Sequence, residues 1–120
     1  MAASKQVCDI AQIAATAASE KLATDIVAMD MTDQMLLSEV FLVCTGANEN
    51  QVSAIADGVF EALAKVGEKP IRKEGKDQWV LLDYSDLVVH IQIKELREFY
   101  LLDRLWNDCP RLPLVIEEAR

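Results

Sequence analysis

The chain has 120 residues, and its 20 acidic and 12 basic side chains give a formal net charge of −8. Apolar residues make up 52% of it, which is typical of a folded globular domain and excludes an intrinsically disordered chain. No apolar run reaches the roughly 18 residues of a transmembrane helix, and the N-terminus lacks a signal-peptide pattern, so we expect a cytoplasmic protein without membrane contact. The acidic balance disfavours direct nucleic-acid binding and would attract a basic protein partner, but on charge alone we favour the simpler interpretation that it keeps the domain soluble.

The cysteine and histidine content predicts no metal site. The three cysteines, Cys8, Cys44 and Cys109, are far apart in the chain and odd in number. They have no metal-ligand spacing, so we interpret them as reduced packing residues, with Cys44 in the core because it lies in an apolar run. His90 is the single histidine, and neither a metal nor a cofactor is expected.

The first third of the chain predicts a helix and two strands. Apolar residues recur at spacings near three and four through alanine-rich sequence, which predicts a first helix. Its stripe comprises Val7, Ile10, Ala14, Ala17 and Leu22. Residues 24–31 favour a short strand, and a polar connection through Asp33 and Gln34 follows. Residues 39–45 form a nearly continuous run of β-branched and aromatic side chains, which is typical of a strand covered on both faces.

A second helix is predicted after Gly46. Its apolar stripe comprises Val52, Ile55, Val59, Leu63 and Val66. Asn48 is placed to cap the N-terminus, with Gln51 three residues further on. Gly67 supplies a left-handed residue after the end, and Pro70 prevents continuation. The stretch TGAN before this helix could hold an anion on its amide groups, but we favour a purely structural turn.

The remaining sequence predicts three strands and a last helix. A short strand at residues 70–73 is followed by a polar turn EGKD around Gly75, and the stretch WVLLDYSDLVVH, residues 79–90, predicts a hairpin. Residues 95–108 predict a helix that ends before Pro110. Its packing stripe comprises Leu96, Phe99, Leu102, Leu105 and Trp106.

These elements predict one α/β domain over residues 1–109, with a tail at residues 110–120. Short connections between the last strands require antiparallel pairing, whereas the second helix permits a parallel crossover. We therefore expect a single mixed β-sheet of about five strands with helices packed on it. Three helices can cover one face of such a sheet, which leaves the other face partly open.

The hairpin has one aliphatic and one mixed face, because side chains alternate along a strand. The aliphatic face comprises Val80, Leu82, Val89 and Ile91. The mixed face carries Trp79 and Leu81 with polar neighbours that include Asp83 and His90. An aromatic residue and a leucine ringed by polar groups are typical of the centre of a protein interface. Equally, Trp79 could lie under a helix with His90 as a half-buried core histidine, and the hairpin alone does not separate the two interpretations.

No catalytic pattern is apparent in the sequence. His90 has no nucleophile motif around it. Asp83 and Asp86 lie three apart across a turn, so they do not form the alternating pair on one strand face that could hold Mg²⁺. An enzyme is therefore not expected.

Four motifs follow one another in the chain: TG before the second helix, QVSAIAD within it, WVLLDYSDLVVH in the hairpin, and REFYLLDRLW in the last helix. Together they resemble the ribosomal silencing factor family, also called the Iojap family, over residues 5–107. The resemblance implies a nucleotidyltransferase-like topology without the catalytic acids. It also implies a translational repressor that binds a basic protein of the large ribosomal subunit, the fourteenth in the universal numbering, at the intersubunit face and blocks subunit joining. Homodimers occur in the family, and a nucleotidyltransferase-like enzyme is the alternative function.

By matching positions, the resemblance implies a set of partner-binding residues. They are Trp79, Leu81, Asp83, Tyr84 and His90, with Glu74 and Arg97 at the rim. Trp79 is expected to be the buried anchor, and Asp83 is expected to accept a hydrogen bond from a partner Lys or Arg. Arg97 could instead pair with Glu74 or Asp83 and hold the last helix in place.

The chain departs from the family pattern at two places. Asn48 and Asn50 follow TG where the family commonly has Ser and, two residues later, Arg. Ser38 and Glu39 precede the second strand where the family commonly has Thr-Asp. Both departures keep a helix-capping or acidic character, so they affect the expected binding details rather than the fold. The tail after residue 107 lies outside the motifs that carry the resemblance.

Overall fold

The computed structural model describes residues 3–32, 38–100 and 109–115, with only the backbone described for residues 98–100. Helices and strands follow one another in the predicted order. The elements are the helices α1 (Lys5–Glu20), α2 (Glu49–Ala64) and α3 (Lys94–Tyr100) and the strands β1 (Thr24–Asp30), β2 (Val40–Gly46), β3 (Arg72–Lys76), β4 (Trp79–Asp83) and β5 (Leu87–Ile93).

The strands form one five-stranded sheet in the order β1-β2-β5-β4-β3. β2 and β5 are parallel, because α2 and the β3–β4 hairpin lie in the crossover between them, and all other neighbouring strands are antiparallel. The predicted fold class, a single α/β domain with a mixed sheet, is confirmed. β5 lies at the centre and is buried at every position. Its parallel register places Val88 beside Phe41 of β2.

The helices α1 and α2 cover one side of the sheet, the helix face. The predicted aliphatic side of the hairpin packs into the core beneath them, and Cys44 is fully buried in the same core. The predicted helical stripes are buried except at their last positions. Leu22 and Val66 are 59% and 51% exposed, because each follows the last residue of its helix.

The predicted boundaries of α2 are confirmed. The side chain of Asn48 accepts a hydrogen bond of 2.8 Å from the backbone amide of Gln51, so Asn at this position keeps the capping role. At the other end Gly67 has a φ of 85°, and the amide of Glu68 donates to the carbonyl of Leu63 at 2.9 Å. These two features stop the helix and satisfy a carbonyl of its last turn.

The strand and turn predicted around Gly75 are wrong in their boundaries. β3 runs from Arg72 to Lys76, so the strand includes the glycine and begins two residues later than predicted. The turn follows at Asp77, which has a φ of 64°. Gly75 has a φ of 77° inside the strand, and a Cβ at this position would collide with the carbonyl oxygen of Trp79. Glycine is therefore required by the close approach of β4 rather than by a turn.

The opposite side of the sheet, the second face, carries a smaller apolar cluster. Its buried members are Met29, Met31, Val43 and Cys109, with Val27, Phe41 and Trp79 packed against them. Cys109 belongs to the segment 109–115, which also pairs with the outer edge of β1. The amide of Asp30 donates to the carbonyl of Pro110 at 2.7 Å, and the amide of Leu112 donates to Ala28 at 2.9 Å. The segment then reaches α1, where Val115 exchanges two hydrogen bonds with the side chain of Gln12.

Some predictions fall outside the described residues. They concern the connection at Asp33 and Gln34, the packing of Leu102, Leu105 and Trp106, and the side chains of Phe99 and Tyr100. Within the described ranges, no helix combines the length and the apolar character needed to cross a membrane.

Candidate interaction surface on the second face

An apolar patch lies on the second face where β2, β4 and β5 meet. We define the apolar patch as Phe41, Trp79 and Leu81, all of which are half-buried. The predicted alternation is confirmed, since Leu81 stands opposite His90 and Trp79 opposite Gln92 in the antiparallel register. The indole of Trp79 is therefore neither enclosed under a helix nor fully solvated.

His90 lies beneath the apolar patch and supports it. Its side chain is only 7% exposed, and its Nδ1 accepts a hydrogen bond of 3.3 Å from the indole Nε1 of Trp79. The ring also lies 5.2 Å from the ring of Phe41, centroid to centroid. Burial lowers the pKa of His90 from 6.5 to about 4, so the imidazole is neutral at pH 7. His90 thus orients the indole from below, and little of it can be reached by a partner.

Charged side chains from β3 and β4 border the apolar patch. We define the charged rim as Arg72, Glu74 and Asp83. The Nε of Arg72 lies 3.2 Å from carboxylate oxygens of both Glu74 and Asp83. Asp83 also accepts a hydrogen bond of 2.8 Å from the amide of Ser85, which fixes its side chain. Arg72 and Glu74 are well exposed, so their ion pair contributes little stability and leaves the carboxylate of Glu74 able to accept further donors. Asp83 is only 8% exposed, so little of it can be reached directly.

A recess of about 330 Å³ separates the apolar patch from the charged rim. Its apolar wall is formed by Phe41, Ile71, Leu81 and Val88. Glu74 and Asp83 line the same recess. A second depression of about 260 Å³ lies between Trp79 and Glu74. A long aliphatic side chain that ends in a cation has the chemistry to fit such a site, because its stem meets apolar walls and its head meets carboxylates.

Tyr84 lies apart from the apolar patch. It is 6% exposed and belongs to the core of the helix face. Burial raises the pKa of its hydroxyl to about 12, and the hydroxyl oxygen is buried without a hydrogen-bond partner among the described residues. The contact expected from the resemblance is thus not favoured by the position of Tyr84.

Arg97 also lies away from the rim position expected for it. Its side chain is 5% exposed, and its Nη1 donates a hydrogen bond of 2.7 Å to the hydroxyl of Thr45 on β2. The cation beside Glu74 and Asp83 is Arg72 instead. Arg97 therefore attaches α3 to the sheet, as the structural alternative predicted. Its partner is Thr45, however, and not Glu74 or Asp83.

Sequence reasoning missed three residues of this site: Phe41, Ile71 and Arg72. Phe41 joins the site through the parallel pairing of β2 with β5, which connects segments far apart in the chain. Ile71 is 70% exposed, and no local sequence pattern indicates this exposure. Arg72 was read as part of a short strand, and its alternation with Glu74 could have placed both on the second face.

Residues 4–120 match the sequence model of a family described as ribosomal silencing factor during starvation. The chain belongs to this family. The match includes the tail and so extends beyond residue 107, where the resemblance based on the motifs ends. A silencing factor of Bacillus subtilis is 41% identical over 103 residues, covering 84% of this chain and 87% of the relative.

Two further similarities support the family assignment. The chloroplast protein Iojap of Zea mays is 30% identical over 111 residues, which cover 88% of this chain and 47% of that protein. A crystal structure from Bacillus halodurans has a TM-score of 0.76 at 36% identity, covering 88% of this chain and 98% of that chain. The crystal structure thus shares this fold over most of the chain, and the bacterial relative is named as a ribosomal silencing factor, a regulator rather than an enzyme.

Proposed function

We propose that this silencing factor represses translation by docking its second face on a basic protein of the large ribosomal subunit, the fourteenth, at the intersubunit surface. The observation that carries the proposal is the half-buried pair Trp79 and Leu81 beside carboxylates on a sheet face that α1 and α2 leave uncovered. Family membership supports the ribosome as the location of the partner.

The apolar patch supplies the central contact in this proposal. Burial of aromatic and aliphatic side chains at the middle of an interface provides most of the binding free energy. The indole of Trp79 is held in place by His90, so binding does not have to order a loose side chain first. Trp79 acts as the anchor, and Leu81 and Phe41 widen the apolar contact.

The charged rim supplies specificity for a basic partner. Lysine or arginine side chains of the partner enter the recess and bind chiefly to the exposed carboxylate of Glu74, beside or in place of Arg72. The buried Asp83 is reached only where it lines the recess. The net charge of −8 attracts a basic protein over longer distances. His90 supports the indole, and Tyr84 and Arg97 act from within the fold rather than in the contact.

Repression follows from the size of the domain. The chain measures 37 × 32 × 28 Å along its principal axes. Contacts between ribosomal subunits require atoms within about 4 Å of one another. A body of this thickness seated on the intersubunit surface therefore prevents the small subunit from approaching nearby contacts.

Replacement of Trp79 by alanine tests the proposal. We expect Trp79→Ala to weaken binding to the isolated basic ribosomal protein by about 30-fold or more, as for a central interface residue. The matched control is Phe60→Ala, which removes a 43% exposed aromatic side chain from α2 on the other side of the molecule. Calorimetry measures the binding, and circular dichroism verifies that both variants fold. The wild type and the control should also reduce association of purified subunits in light scattering.

Wild-type affinity in a folded Trp79→Ala variant would contradict the proposal. A second copy of the chain is the competing occupant of the apolar patch, since the family resemblance implies that homodimers can occur. If a dimer uses this patch, sedimentation will show dimers that the basic ribosomal protein dissociates. If dimers persist in the complex, the two contacts use different surfaces.

A further inference from the structure

A basic segment stands out from the acidic remainder of the chain. Residues 65–76 contain five of the 12 basic residues and only two of the 20 acidic ones. The segment thus carries a net charge of +3, and the rest of the chain carries −11. The overall charge, which argues against nucleic-acid contact, conceals this difference. We define the basic edge as Lys65, Lys69, Lys73 and Lys76.

Two of these lysines lie on the edge strand of the sheet, and the other two lie in the connection that leads to it. β3 is the outermost strand beyond β4, and every residue of it is exposed. Lys65 and Lys69 are exposed in the connection that leads from α2 to β3. None of the four forms an ion pair with another residue in the described ranges, whereas Arg72 is engaged by Glu74 and Asp83. Within the described residues, this stretch of the chain therefore carries four exposed ammonium groups without an ion-pair partner.

The basic edge adjoins the apolar patch. Lys76 is the direct cross-strand neighbour of Trp79, and Lys73 is the neighbour of Leu82. Side chains of Lys76 and Lys73 consequently leave opposite faces of the same edge. When a partner protein covers Trp79, the groups that lie next to that partner on the ribosome come within reach of these lysines. The lysine side chains extend about 6 Å from the backbone.

Protection of an exposed sheet edge is the simpler interpretation of lysines on β3, because such charges prevent edge-to-edge pairing with other chains. It explains Lys73 and Lys76. It does not explain Lys65 and Lys69, which lie outside the strand. It also does not explain why, among the described residues, none of the four lysines pairs with a carboxylate, although the chain has 20 acidic residues. Exposed ammonium groups without an ion-pair partner are available to bind phosphates.

We propose that the basic edge contacts the sugar-phosphate backbone of ribosomal RNA when the second face is seated on its protein partner. This inference rests on the proposed function. The protein then has two charged recognition surfaces. The carboxylates of the charged rim contact a basic protein, and the ammonium groups of the basic edge contact the RNA beside that protein. The contact positions the protein without reading sequence, because phosphates are alike along the RNA.

Charge-matched variants test the proposal. The test variant is Lys69→Gln/Lys73→Gln/Lys76→Gln, and the control variant is Lys5→Gln/Lys21→Gln/Lys94→Gln, which removes three other exposed lysines. Both variants lose the same formal charge, so a general effect of net charge appears in both. Binding to purified large subunits is measured by sedimentation over a series of salt concentrations, and binding to the isolated basic ribosomal protein by calorimetry.

We expect the test variant to bind large subunits about tenfold or more weakly, with a salt slope reduced by about one per lysine removed. Its affinity for the isolated protein should equal that of the wild type, and the control variant should change neither quantity. A photoreactive phenylalanine analogue at position 73 should crosslink to ribosomal RNA in the complex, and one at position 21 should not.

The outcomes separate this inference from the function on which it rests. Wild-type affinity and slope in the test variant, or a crosslink from position 73 to protein alone, would overturn the RNA contact while leaving the protein contact standing. Self-association of the test variant with unchanged subunit binding would assign the lysines to edge protection. A wild-type chain that fails to bind large subunits would overturn both.

Discussion

His90 is a neutral base inside the fold, and among the described residues its one polar contact is the indole of Trp79. Its folded-state pKa of about 4 lies below its ordinary value of 6.5, so between these values the unfolded chain binds a proton that the folded chain does not. Stability therefore falls as pH decreases through this window and is constant, for this group, above and below it. Protonation would also remove the acceptor for the indole of Trp79.

The predicted effect is a loss of about 3 kcal/mol in the free energy of unfolding between pH 7 and pH 4, since each unit of pKa shift corresponds to about 1.4 kcal/mol. Urea unfolding at a series of pH values measures it. His90→Asn is the matched variant, because the amide oxygen can still accept from the indole but does not titrate. Equal pH dependence in the two proteins would show that His90 is not the cause. Asp30 does not interfere with this measurement. Burial raises the pKa of its carboxyl, but hydrogen bonds from Thr32 and Ala3 lower that pKa below 3.8, so in the folded protein Asp30 titrates below the range between pH 7 and pH 4.

At the scale of single residues, alternation along the hairpin was the reliable guide. It placed Trp79, Leu81 and Asp83 on one face, as the structure has them. The same alternation assigns Tyr84 to the other face with Leu82, and there it lies. The contact expected for Tyr84 came from the family resemblance alone. Arg97 could not be placed in this way, because its position depends on how α3 crosses the sheet.

At the scale of elements, Gln51 joins the end of α1 to the start of α2. Its amide nitrogen donates to the carbonyls of Lys21 and Leu22 at 3.1 and 3.0 Å. Its amide oxygen accepts from the backbone amide of Ala47. One side chain thus satisfies backbone groups at two helix ends, where intrahelical partners are missing.

We predict that Gln51→Ala lowers the free energy of unfolding by about 1–2 kcal/mol, as expected when a cap and its partners are lost. Ser53→Ala serves as the control, because this serine is exposed on α2 and alanine favours helix. Chemical denaturation of both variants measures the difference. A Gln51→Ala variant as stable as the control would mean that water replaces the lost hydrogen bonds without loss of stability.

Element boundaries were predictable where local chemistry sets them. The cap Asn48 and the left-handed Gly67 fixed both ends of α2 in the sequence. The boundaries of β3 were not predictable from the sequence. Gly75 is required by the close approach of β4, but a glycine within a polar stretch has the same sequence pattern as a turn. The parallel pairing of β2 with β5 joins residues 47 positions apart, which no local pattern specifies.

At the scale of the whole molecule, charge and shape act together in association. An acidic chain with a net charge of −8 meets a basic partner faster than an uncharged chain would, because the long-range attraction favours encounter. The attraction is screened by salt over a distance of about 10 Å at moderate ionic strength.

We therefore predict that the association rate constant with the isolated basic ribosomal protein falls by about tenfold between low and physiological salt. The dissociation rate constant should change little, because it depends on the apolar patch. Stopped-flow fluorescence of Trp79 measures both, with Trp79→Phe as the variant that identifies this signal. Dissociation that changes with salt as strongly as association would show that ion pairs, rather than the apolar patch, hold the complex together.

The segment 109–115 bears on how the fold avoids polymerisation. Its backbone occupies the outer hydrogen-bonding groups of β1 at Ala28 and Asp30, so a strand from a neighbouring molecule cannot pair along that part of the edge. At the far end of the sheet, the exposed strand β3 carries the charges of Lys73 and Lys76. Growth of the sheet from one molecule into the next is obstructed at both margins, and a fibre of stacked copies is disfavoured even at the high local concentrations of a crowded cell.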